Sequence, residues 1–61
     1  MTIDERLNAL KRGMKAALND DVRYAVAEKI RDLGYIDFQD FFRARPVPAH
    51  VDVVEQALGL R

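Results

Sequence analysis

The 61-residue chain has no cysteine and no tryptophan, only three glycines and two prolines, and no excess of either charge sign. Each shortage excludes something. Without cysteine there is no disulfide and no thiolate metal site, so a chain this short depends on apolar burial, supplemented by self-association. Ten acidic residues balance ten basic ones, which gives no global attraction to nucleic acid or to an anionic membrane; any such binding has to come from a local patch. No apolar run approaches the roughly 20 residues of a membrane span. Met1-Thr2-Ile3-Asp4-Glu5 lacks the basic start and long apolar centre of a secretory leader, so a cytoplasmic setting is expected. A chain of this size buries only roughly 60% of the surface its unfolded form exposes, which leaves room for one domain, residues 1–61, and none for a separate substrate domain.

What the sequence does contain is helix punctuation. Thr2 and Glu5 have capping-box spacing, with the hydroxyl able to accept from the Glu5 amide and the carboxylate able to reach back. Ile3, Leu7, Leu10, Met14 and Ala17 follow at alternating spacings of four and three and line one face of a first helix. Gly13 should cost this helix about 1 kcal/mol relative to alanine, and either permits close backbone approach or has no role of its own. Asn19, Asp20 and Asp21 bring cap-forming side chains and negative charge to the positive end of a second helix. Val22, Val26, Ile30 and Leu33 share its apolar face, Lys29 and Arg31 suit its C-terminal end, and Gly34 can supply the left-handed residue that ends it.

Asp37 is the expected cap of a third, short helix, with Asp40 three residues on as a weaker capping-box partner. Pro46 closes that helix, because it lacks an amide hydrogen and disfavours helical geometry at Arg45. Between these limits lie Phe38, Phe41 and Phe42, all the phenylalanines of the chain, whose burial should contribute roughly 1.5 to 3 kcal/mol each. Pro48 suits the first turn of a fourth helix carrying Val51, Val54 and Leu58 on one face, with Val53 and Ala57 beside it. Gly59 and Leu60 have the makings of a Schellman-type stop. Sustained two-residue alternation is missing, so strands are not expected. The predicted fold is all-α, a compact bundle of about four short helices.

The order of these helices resembles the helix-turn-helix domains of phage Cro and repressor proteins. Tyr24-Ala25-Val26-Ala27-Glu28-Lys29 is similar to the alanine-centred first helix of that motif, and Pro46 to Leu60 to the helix that closes the domain. Together they cover about half the chain. In that family the second motif helix enters the major groove of double-stranded DNA. The resemblance implies that Gln39 and Arg43 read bases, since amide and guanidinium groups suit adenine and guanine edges, and that Arg45 contacts phosphate. Lys11 and Lys15, four apart in the acid-free stretch Arg6, Lys11, Arg12 and Lys15, are further candidates for phosphate contact, although a charge run of this kind also describes an ordinary solvated helix face.

A protein interface is the competing expectation. Phe41 and Phe42 point about 100° apart on a helix, so both are buried only if two neighbours cover them; a partner chain could supply one. Phe38, Phe41 and Phe42, together with the Leu7, Leu10 and Met14 stripe, are therefore the candidate interface residues, although a small domain needs such groups first for its own core, which is the preferred reading of both sets, and homo-oligomerisation is expected. Nothing in the sequence has the form of a nucleophile and base pair or a phosphate loop, so an enzyme with a small-molecule substrate is not expected. His50 is the only histidine. With no cysteine partner and a place in the first turn of the fourth helix it has at most a surface role, so neither a metal nor a cofactor is expected. Asp20-Asp21 and Asp37/Asp40 are read as helix caps and not as acid–base pairs. The expected function is a small, dimeric, helix-turn-helix transcriptional regulator; the alternative is a helical inhibitor or adaptor, and a third possibility is a self-assembling structural subunit.

Overall fold

Local chemistry sets the helix starts. In the computed structural model, which describes residues 1–17 and 19–60, the Thr2 hydroxyl accepts from the Glu5 amide at 3.2 Å and the Glu5 carboxylate accepts from the Thr2 amide at 3.3 Å. This capping box opens α1, Ile3–Ala16. Asn19 accepts from the Asp21 amide at 2.8 Å and opens α2, Asp20–Asp32. Asp37 accepts from the Asp40 amide at 2.8 Å and opens α3, Phe38–Arg43. The reciprocal bond differs from a regular capping box: Asp40 reaches back one residue further, accepting from the Ile36 amide at 3.0 Å. α4, Pro48–Leu58, begins at Val47 with no side-chain cap and relies on its N-terminal proline, whose missing amide is one of the orphans of a first turn.

The stops are equally local. Gly34 and Gly59 take φ of +102° and +87°, a region open to glycine at no steric cost. After Gly34 the Tyr35 amide donates to the Ile30 carbonyl at 3.1 Å, and after Gly59 the Leu60 amide donates to Glu55 at 2.9 Å. Both are Schellman closures. Ala17, expected on the α1 stripe, is the C-cap of that helix, and Leu33 caps α2. α3 ends at Arg43, and Arg45 turns left-handed with φ +50° immediately before the buried Pro46. That proline penalises right-handed helical geometry at the residue preceding it.

All four helices contribute to one core. Leu7 and Leu10 from α1, Val26 and Ile30 from α2, Phe41 from α3, and Val51 and Val54 from α4 are buried, with Ile3, Met14, Val22, Leu33, Tyr35, Phe38, Phe42, Ala57 and Leu58 packed around them. α4 packs chiefly on α2 and then on α1, while α3 lies against α2. Gly13 matters to the α1–α4 contact: a Cβ there would lie 2.8 Å from Leu58 Cδ2, so what comes close to this glycine is a side chain and not a backbone. The architecture is an all-α bundle, 27 × 23 × 18 Å along its principal axes. No strand occurs among the described residues, and none of their helices is long and apolar enough to cross a membrane.

Candidate nucleic-acid interface

α3 holds Phe41 in the core, packs Phe38 and Phe42 at its edge and presents its other side chains away from it. Phe41 is fully buried, and its ring stands edge-on to Tyr35 at 5.1 Å and to Phe42 at 5.3 Å between centroids. Gln39 and Arg43 each lie two residues from Phe41, hence about 200° around the helix, and about 40° from one another. Both are exposed. They form an outward ridge beside a shallow depression of about 180 Å³ that also takes in Ile36, Asp37 and Asp40. The two carboxylates are held by their capping bonds.

The cations assigned to phosphate have different fates. Lys11 extends over the Phe42 ring, with Nζ 5.1 Å from its centroid, so its charge lies beside the C-terminal end of α3. Lys15 is exposed in the last turn of α1. Arg45 pairs with Asp4 across the surface, its Nη2 donating at 3.1 and 3.3 Å to the two carboxylate oxygens. A phosphate at Arg45 would have to displace that carboxylate, and with both side chains about two-thirds exposed the pair is of the weak, solvent-screened kind.

Arg6 departs from its place in the basic stretch. Its side chain is only 13% exposed and turns towards α4, where Nη2 meets Asp52 and Glu55, and Nε donates to Glu55 Oε2 at 3.4 Å. Glu55 is itself 8% exposed. The hydrogen bond to Glu55, and after it the one to Asp52, raises the Arg6 pKa above its ordinary value against a smaller opposing effect of burial. The sequence carried a signal for this pair: Arg6 falls one turn from Ile3 and from Leu10, and Glu55 one turn from Val51, so each charge flanks an apolar stripe. His50 also differs from expectation. It is half-buried, and its Nδ1 shares a 2.7 Å hydrogen bond with the Tyr35 hydroxyl, which ties the first turn of α4 to the α2–α3 connection.

The proposed protein interface is corrected in half of its residues. Leu7 is 6% exposed, and Leu10 and Phe41 are wholly enclosed; they are the core that joins α1 and α3 to the other helices, and a partner would have to unfold the domain to reach them. Met14, Phe38 and Phe42 keep partial exposure at the edge of that core. The second phenylalanine neighbour is found within the chain, since Phe42 packs against Phe41 and under Lys11. The exposed large apolar side chains lie elsewhere: besides Met1 and Leu60 they are Tyr24 at 74%, Ile36 at 78% and Val47 at 55%. Tyr24 borders a groove of about 330 Å³ between α2 and α3 together with Arg23, Ala27, Arg31 and Phe38.

The fold is thus that of a small four-helix domain with a polar ridge on its shortest helix. No family model, curated protein or solved structure matches the chain.

Proposed function

We propose that the protein is a small DNA-binding regulator of the helix-turn-helix kind, with α3 as the helix presented to the major groove. The observation that carries this reading is the exposure of Gln39 and Arg43, four residues apart, on the side of α3 opposite the buried Phe41. An amide and a guanidinium so placed suit adenine and guanine edges. Support comes from Lys11 at the end of α3 and from exposed Lys15, which supply the local positive charge that a net-neutral chain needs for phosphate contact. Two copies would be required to read paired half-sites.

An amide-shift titration with mixed-sequence duplex DNA at two salt concentrations tests this. Gln39, Arg43, Lys11 and Lys15 should shift at low salt, and the shifts should shrink at high salt. Absence of shifts at low salt removes the reading. Arg43→Ala should reduce discrimination between preferred and mismatched duplexes by roughly 1 to 3 kcal/mol, while leaving the thermal midpoint unchanged because the side chain is exposed.

A further inference from the structure

The groove between α2 and α3 is not used by the α3 ridge, and its chemistry is different. Its apolar lining is Tyr24, Ala27 and Phe38, and its two charged members are Arg23 and Arg31. No carboxylate lines it, and neither arginine makes an ion pair among the described residues. Tyr24 leaves three-quarters of its surface open to water, a large exposed aromatic surface for so small a domain.

The spacing specifies what fits. Arg23 and Arg31 are eight residues apart on one helix, a rise of about 12 Å. An extended peptide advances about 3.3 Å per residue and turns alternate side chains to one face. Two acidic residues four apart therefore reach about 13 Å and share a face with the residue midway between them. The arginines would take the outer carboxylates, and the apolar lining would take one apolar or aromatic side chain. A nucleic-acid strand, with a charge every 3.4 Å or so of duplex axis, matches two isolated cations separated by apolar lining less well.

From this we infer that the α2–α3 groove is a docking site for an extended acidic segment of a partner protein, of the pattern acidic-x-apolar-x-acidic. The site goes beyond the DNA reading and does not depend on it, because the peptide occupies the α2 side of α3 and leaves Gln39 and Arg43 open.

The probe is a synthetic heptapeptide, Ser-Glu-Thr-Trp-Thr-Glu-Ser, titrated into the whole chain and followed by amide shifts. Shifts confined to Arg23, Tyr24, Ala27, Arg31 and Phe38 are expected, with binding weakened about tenfold when both glutamates of the peptide are replaced by lysine. The R23E/R31E protein, shown to be folded by circular dichroism, should reverse that preference and take the lysine peptide better. Equal response to the two peptides, or a silent groove at millimolar peptide, overturns the proposal. It is also overturned if oligothymidylate shifts the groove more strongly than the peptide does, or if the groove amides themselves shift on dilution through a monomer–dimer transition, which would place a second copy of the chain there. Duplex DNA shifting Gln39 and Arg43 in the same samples would report separately on the DNA reading.

Discussion

Arg6 and Glu55 show how one ion pair differs from the others in this chain. The Arg45–Asp4 pair is open to water, whereas Arg6 and Glu55 side chains are 13% and 11% exposed and the Asp52 side chain 43%. Glu55 is the more enclosed of the two carboxylates that share the Arg6 guanidinium, and an ion-pair partner removed from an enclosed site costs more than one removed in water. Glu55→Gln should therefore lower the urea midpoint more than Asp52→Asn, and equal losses would mark the Glu55 contact as no better than a surface pair. Because the Arg6 pKa is raised, its contribution is complete below the ordinary arginine range and is lost only as pH climbs through the raised value. The arginine end of the pair should consequently add no slope to stability from neutrality to about pH 10. Tyr35→Phe tests a second residue-scale bond. It leaves His50 Nδ1 without the hydroxyl at 2.7 Å in a half-buried position and should cost about 0.5 to 1.5 kcal/mol in denaturant unfolding. A change below that range would mean water replaces the phenol without loss.

At the scale of the element, glycine serves two different ends that a pair of substitutions separates. Gly59 is needed for its backbone, with φ +87° and open space where a Cβ would go. Gly59→Ala should destabilise by about 1 to 2 kcal/mol, the penalty of a left-handed L-residue. Gly13 gives room without being indispensable: the one tight contact of a Cβ there would be with the tip of Leu58 at 2.8 Å, the movable end of a side chain, and alanine also recovers about 1 kcal/mol of helix propensity. Gly13→Ala should then be close to neutral in thermal melting, and a loss as large as that of Gly59→Ala would show that Leu58 cannot move aside. These elements were legible from sequence because their determinants are local. Thr2 with Glu5, Asn19, Asp37, Gly34, Pro48 and Gly59 each act within a turn of the helix they start or stop. Arg6 with Glu55, Arg45 with Asp4, and Tyr35 with His50 are separated by 49, 41 and 15 residues, and they depend on how finished helices pack. The candidate site divides in the same way. The apolar stripe of Leu7 and Leu10 marked a core face by its spacing alone, whereas the exposure of Gln39 and Arg43 opposite Phe41 and the capture of Arg45 depend on the neighbouring helices.

For the molecule as a whole, charge is the quantity that limits the proposed activity. Ten positive and ten negative side chains cancel, so there is no long-range field to draw the chain onto DNA, and affinity has to come from a small number of contacts. Of the cations near α3, Arg43 faces outward on the ridge, Lys11 sits over Phe42, and Arg45 is held by Asp4; Lys15 lies further along α1. Two to four phosphate contacts per copy imply a slope of log affinity against log salt of about −2 to −4 for one bound copy and about −4 to −7 for two copies on paired half-sites, since each contact contributes roughly −0.9. Fluorescence anisotropy with a labelled duplex across a salt series measures this directly. A slope well beyond about −7 would require more contacts than two copies of the ridge and its neighbours supply, and would show that cations outside α3 and its surroundings also touch phosphate. A slope of zero would remove phosphate contact altogether, and with it the use of α3 in a charged groove. Asp4→Ala adds a further arm: it frees Arg45 without touching α3, and should steepen the slope by about one contact's worth per bound copy, roughly −0.9, if that arginine lies within reach of the backbone.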